Sequence, residues 1–268
     1  ALSSLHDDLK NLKIIKSLPS DKKLIFENKI SLENVSYSYP NSPRTALSNL
    51  NLDIPAKETI GLVGVTGSGK TSTVDLILGL LEPQKGSLKV DGKVINKSNI
   101  RSWQNSIGYV PQQIFLKDDT IAANIAFGID TIDIDQELIQ KAAKISNLHN
   151  FIIDELPNGY QTMVGERGVR LSGGQRQRIG IARALYHRPQ ILIFDEATSA
   201  LDNITEKIIM EAVYNLGDQI TIILIAHRLS TVKMCKNIYL LEKGSVRSQG
   251  NYKKLIEDDN KFRQMAGK

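Results

Sequence analysis

The sequence is poorest in cysteine and in aromatic residues. Cys235 is the one cysteine in 268 residues, so no internal disulfide can form, and no Cys/His cluster has metal-ligand spacing. That usage fits a reducing, cytosolic setting. No apolar run approaches the roughly 18 residues of a membrane span, and no stretch at the start is built like a signal peptide. Internal repeats and low-complexity segments are also missing. Aromatics make up 6% and do not interleave with basic residues as they do in single-strand nucleic-acid binders. Neither sign of charge dominates: 34 Lys and Arg against 29 Asp and Glu leave +5. Such a balance suits nucleotide phosphates, nucleic acid or an anionic membrane surface, and equally a solvated surface with a small lysine excess. The length allows one large domain or two small ones, with a real core. The chain opens on Ala1 rather than Met, as a piece of something longer would.

Against that plain background stands Gly64-Val65-Thr66-Gly67-Ser68-Gly69-Lys70-Thr71, which satisfies the phosphate-loop spacing G-x-x-x-x-G-K-[ST]. Thr59 to Val63 before it reads as a buried strand, and Ser72 to Leu81 after it carries an apolar helical stripe. Glycines at 64, 67 and 69 let the backbone take positive φ and bring its N–H groups close to a phosphate. The helix that follows points its positive end at the same anion. Lys70 is placed to reach the β- and γ-phosphates, and the Thr71 hydroxyl to ligate Mg²⁺.

In chain order, Leu5, Leu9, Leu12 and Ile15 recur at helical spacing and stop before Pro19. This helix either packs on the domain or is the cut end of a longer helix joining something upstream. Ile30 to Tyr39 alternates apolar and polar residues, as does Leu47 to Ile54; both are predicted strands, expected to begin the sheet that carries the loop. Gly86 to Gly92 gives a strand and turn, and Ile107 to Val110 another strand. Helices are predicted at Gln136 to Leu148 and Gly174 to Tyr186, an inserted helical lobe. Ile191 to Phe194 and Thr221 to Ala226 are continuous apolar runs, the pattern of strands covered on both faces. Ile238 to Leu241 and Gly244 to Val246 read as a closing hairpin.

Polar residues at the carboxyl ends of parallel strands are where an open α/β sheet binds its ligand. Asp195 and Glu196 end one strand and His227 the next. Asp195 can hold Mg²⁺ beside the loop. Glu196 cannot point the same way and is assigned as general base for an attacking water. A pair that merely caps a helix beginning near Ala197 is the plainer alternative. His227 can hydrogen-bond a phosphate oxygen and the attacking water. A second anion-binding helix end starts at Leu171-Ser172-Gly173-Gly174-Gln175, where Ser172 can cap the helix and Gly173 and Gly174 leave N–H groups bare.

With these motifs in hand, the sequence from about residue 28 to the C-terminus resembles the ATP-binding cassette (ABC) ATPases. Residues 64–71 match Walker A, Gln112 the glutamine loop, 171–175 the family signature, 191–196 Walker B with its glutamate, Ser199-Ala200-Leu201-Asp202 the D-loop and His227 the switch histidine. Tyr39 takes the place of the aromatic residue that stacks on adenine. Thr162 to Gly168 resembles the loop typical of exporters, in which the ATPase is fused to its membrane domain. Val74 to Leu81 lacks the Arg-x-Tyr pattern of many exporters and looks more like bacterial flippases of lipid-linked oligosaccharides.

The resemblance implies an α/β fold: a P-loop NTPase (RecA-like) core with an antiparallel β subdomain and an inserted α-helical subdomain. It implies a connecting helix and linker at 1–27 and an ATPase domain at 28–268, with the core at 28–112 and 187–268 and the helical subdomain at 113–186. Nucleotide contacts are implied for Tyr39, Gly64, Val65, Thr66, Gly67, Ser68, Gly69, Lys70, Thr71, Ser72, Ser172, Gly173, Gly174, Gln175 and Asp202. Mg²⁺ is implied at Thr71, Gln112 and Asp195, and catalysis at Glu196, His227, Lys70 and Gln112. The expected cofactors are ATP and Mg²⁺. The expected partners are a second nucleotide-binding domain, head to tail in a homodimer, and a transmembrane domain of the same transporter, with no nucleic acid. The place is the cytoplasmic face of a membrane, the inner membrane if bacterial. A soluble ATPase acting on nucleic acid or ribosomes and a stand-alone importer subunit are the competing functions.

Overall fold

The computed structural model describes residues 24–40, 42, 44–198, 200–226 and 228–267. The expected N-terminal helix, Ser199 and His227 therefore lie outside the described residues. In chain order the strands are β1 (Lys29–Ser38), β2 (Thr45–Pro55), β3 (Thr59–Val63), β4 (Lys85–Val90), β5 (Lys93–Val94), β6 (Ile107–Val110), β7 (Ile191–Asp195), β8 (Thr221–Ile225), β9 (Asn237–Glu242) and β10 (Ser245–Gly250). The helices that matter below are α1 (Lys70–Ile77), α2 (Ile100–Gln104), α3 (Ile121–Ile125), α4 (Gln136–Ile145), α5 (Gly173–Tyr186) and α6 (Asn203–Leu216).

The strands form two sheets. One has the order β10-β9-β3-β8-β7-β6 and is parallel except for its β9–β10 hairpin edge. The other, β2-β1-β4-β5, is antiparallel throughout. This corrects one expectation: β1 and β2 do not begin the sheet that carries the loop. The reason lies in their patterning. Along β2 buried and exposed residues alternate, whereas all five residues of β3 are buried. A strand with a wet face belongs in an antiparallel sheet, and a dry strand in a parallel sheet with both faces covered.

Three hydrophobic clusters follow. The first joins the antiparallel sheet to α1 and one face of the parallel sheet through Ile191, Ile193, Ile223 and Tyr239. The second covers the other face, with Leu192, Phe194, Ile222 and Leu224 packed against Ile209, Met210 and Val213 of α6. The third is drawn from residues 116–186, the helical lobe, around Ile121, Ile125, Ile139 and Ile179.

Helix ends depart from the expected ones where a left-handed residue intervenes. The stripe predicted to run to Leu81 stops at Ile77, because Gly79 has φ +67 and a Cβ there would lie 2.0 Å from Ile100 Cδ1. The helix predicted to reach Leu148 stops at Ile145, before Asn147 at φ 53. No helix begins near Ala197. Glu196 itself is left-handed at φ 51, and the next helix starts at Asn203, capped by Asp202.

Candidate functional site

The phosphate loop joins β3 to α1 at the carboxyl end of the parallel sheet. Its glycines are fixed by close approach as well as by conformation. Gly64 has φ +152, and a Cβ there would lie 2.5 Å from the Leu241 carbonyl oxygen; Gly69 has φ +106, and a Cβ would lie 2.8 Å from Leu47 Cδ2. Gly69 is also the N-cap of α1 and provides no side-chain cap. Val65, Thr66 and Gly67 face solvent, while Ser68 is buried and its hydroxyl has no hydrogen-bond partner among the described residues.

Lys70 is buried, and its ammonium donates to the carbonyls of Gly64 at 2.8 Å and Val65 at 3.3 Å. Burial pushes its pKa below the ordinary lysine value, and the charges of Glu196 and Asp195 pull the other way. The loop cation and both carboxylates therefore share one field. Thr71 is exposed at the head of α1, and Ser72 beside it is buried. Tyr39 reaches the same helix start: its hydroxyl and Ser72 Oγ are 3.1 Å apart, and its half-exposed ring meets Tyr37 edge to face.

Asp195 and Glu196 part company: Asp195 ends β7, and Glu196 follows it in the left-handed region at φ 51. The Tyr109 hydroxyl donates to Asp195 Oδ2 at 3.1 Å, while Gln112 Nε2 donates to Glu196 Oε2 at 2.9 Å. The left-handed Glu196 turns its side chain out of the strand line, a conformation that costs about 1 kcal/mol or more outside glycine. Gln112 is thus brought to Glu196. The position of His227 lies outside the described residues.

The signature segment lies elsewhere. Ser172 Oγ accepts from Gln175 N at 3.1 Å, and Gln175 Oε1 accepts from Ser172 N at 2.8 Å, a complete capping box. A Cβ on Gly173 would meet Ala200 Cβ at 3.4 Å, and Gln177 Oε1 accepts from Ala200 N at 3.1 Å. The helix end therefore packs on residues 200–201 of its own chain. Asp202 next to them is occupied as the cap of α6, its Oδ1 accepting from Ile204 N at 3.1 Å and Thr205 N at 2.9 Å.

The residues at the loop fit a magnesium nucleotide. A bare helix start, an orphaned buried hydroxyl, a buried ammonium and a carboxylate pair are the donors, charge and ligands that phosphates and a hard cation need. Two residues of this neighbourhood were not read from the sequence. Tyr109 hydrogen-bonds Asp195, and Asp75 on α1 feels the Asp195 charge, which with burial raises its pKa. A polar signal was present in both, a phenol in an apolar strand and a carboxylate among the apolar residues of α1, but the partner is set by strand pairing.

A family model described as ABC transporter matches residues 47–199. The ATP-dependent lipid A-core flippase of Saccharophagus degradans is 46% identical over 231 residues, which are 86% of this chain and 39% of the flippase. The ABC multidrug transporter atrD of Emericella nidulans is 41% identical over 249 residues, 90% of this chain and 18% of that protein. The solved structure of a bacterial Atm1-family ABC exporter with ATP bound matches with TM-score 0.89 at 34% identity, covering 99% of this chain and 46% of that one. The chain spans less than half the length of each of these relatives.

Proposed function

The chain belongs to the ABC transporter family, and from that premise we propose that it is the ATP-hydrolysing motor domain of an exporter, driving export or flipping through ATP-dependent dimerisation. The observation that carries this reading is the division of its anion-binding ends. The loop at 64–71 lies with Asp195 and Glu196, whereas residues 172–175 pack on residues 200–201 of the same chain. A second copy, head to tail, supplies the missing wall.

In that reading Lys70 and the N–H groups of the loop and α1 bind the β- and γ-phosphates, and Tyr39 stacks on the adenine. Thr71, Gln112 and Asp195 would hold Mg²⁺, which supplies charge neutralisation on the phosphate oxygens. Glu196 takes a proton from water as its oxygen attacks the γ-phosphorus and the bond to the ADP oxygen breaks. His227 holds the γ-phosphate oxygen and that water. Ser172 to Gln175 of the second copy close on the same phosphate, and Asp202 belongs to the nucleotide contacts.

The further partner is a transmembrane domain, reached through a connecting segment at 1–27 that precedes the ATPase domain at 28–268. The separate cluster within 116–186 supports a helical subdomain at 113–186. No helix among the described residues is long and apolar enough to cross a membrane. A place at the cytoplasmic face, below spans carried elsewhere, suits the relatives named above. Those relatives are named as flippases, transporters and exporters, which favours this reading over a nucleic-acid or ribosome ATPase and over an importer subunit.

The test is Glu196→Gln. It is expected to keep ATP binding, to accumulate as a dimer by light scattering, and to lose turnover by about a hundredfold or more. The unsubstituted chain is expected to hydrolyse ATP at a rate per chain that rises with protein concentration. Normal turnover in the variant, or a brisk rate from a proven monomer, would overturn the reading.

A further inference from the structure

We propose that Tyr109 is a positioning residue of the Mg²⁺ site, its hydroxyl fixing the Asp195 carboxylate through Oδ2. The inference rests on Asp195 being the metal carboxylate. Its ground is strand register. β6 and β7 run parallel with Tyr109 opposite Ile193, and Asp195 lies two residues further along β7, on the same face as Ile193. A phenol is long enough to reach that diagonal neighbour, and it does so at 3.1 Å. A shorter side chain at 109 would stop at the sheet, and an apolar one of equal size would pack without holding the carboxylate.

A carboxylate at a strand end turns freely about its Cβ–Cγ bond unless something holds it. The 3.1 Å hydrogen bond to Oδ2 restrains that freedom and leaves the lone pairs of Oδ1 for a ligand. The donor is also of the right kind. Tyr109 is half-buried, and its phenol donates a hydrogen bond without adding a charge that would compete with the cation. Asp75 stands on the same side, one helical turn beyond Thr71 on α1, so a freed Asp195 would face a like charge.

The experiment measures binding of a fluorescent ATP analogue to the 268-residue chain with Mg²⁺ and with EDTA, for the unsubstituted protein, Tyr109→Phe and Asp195→Asn. Tyr109→Phe is expected to leave affinity in EDTA unchanged. The extra affinity that Mg²⁺ confers is expected to shrink roughly three- to tenfold, the range for losing one hydrogen bond of ordinary net strength. The free Mg²⁺ needed for half-maximal hydrolysis is expected to rise by the same factor, with kcat recovering at saturating Mg²⁺, a split that a merely structural role would not produce. Asp195→Asn is expected to remove the Mg²⁺ gain. If Asp195→Asn removes the gain and Tyr109→Phe keeps all of it, the role of Tyr109 is overturned. If neither substitution changes the gain, the assignment of Asp195 fails with it.

Discussion

Two helices in this chain begin at glycine-rich anion-binding motifs, and they solve the problem of their orphan N–H groups in opposite ways. Helix α1 starts on Gly69, which has no side chain to cap it, and the Ser68 hydroxyl beside it is buried without a hydrogen-bond partner among the described residues. Helix α5 starts on Ser172, and its first turn is closed by a reciprocal Ser172–Gln175 capping box. A glycine start costs roughly a few tenths of a kcal/mol relative to a serine-capped one. The loop accepts that cost and leaves its donors for a ligand, while the signature helix satisfies one of its N–H groups internally and packs Gly173 and Gly174 against residues 200–201. The first is a helix start whose donors stay open toward the loop. The second is a stable edge that can be presented to another molecule without unfolding its own end.

The comparison can be broken at either end. The largest effect belongs to Lys70→Ala. It removes the ammonium that bonds the Gly64 and Val65 carbonyls and is expected to cut ATP hydrolysis by on the order of a hundredfold or more in a steady-state phosphate-release assay. Next comes Ser172→Ala, which removes a working cap. Unfolding in denaturant is expected to show a loss of about 1 kcal/mol, with nucleotide binding by the single chain unchanged and hydrolysis at high protein concentration reduced. The smallest effect is the sharpest discriminator. Ser68→Ala makes the same chemical change at the other helix start, but deletes a hydroxyl that has no partner among the described residues, so stability is expected to hold within about 0.5 kcal/mol or to rise. Equal losses from the two serine substitutions would show that α1 is capped in solution after all.

Much of this site was legible because its parts are contiguous. Eight residues from Gly64 to Thr71 specify a strand end, a turn of three positive-φ glycines and a helix start, and each of those is local backbone geometry. The parting of Asp195 and Glu196 was expected too, though the left-handed turn at Glu196, just past the end of β7, is what produces it. Less legible was whatever depends on which strands lie side by side. The alternation of β2 was read as a strand, yet that alternation also marked a sheet with a wet face, separate from the one carrying the loop. The start at Asn203 was also not legible, because a left-handed Glu196 follows the strand and the helix begins only at its Asp202 cap. The capping box was half seen: Ser172 was identified as a cap, but the return bond from Gln175 was not, although it stands at the right spacing.

By itself the sequence determined the motifs of this protein: a phosphate-loop pattern, an Asp-Glu pair at a strand end, and a second glycine-rich helix start. Each is a short run whose residue types have few other uses. Tertiary structure alone decided the company these runs keep. The pairing of β6 with β7 puts Tyr109 on Asp195 across 86 positions of chain, and the packing of α5 on residues 200–201 keeps the signature with its own D-loop. Contacts of that kind arise from burying strands and helices against one another, and apolar patterning states that a face will be buried without stating against what.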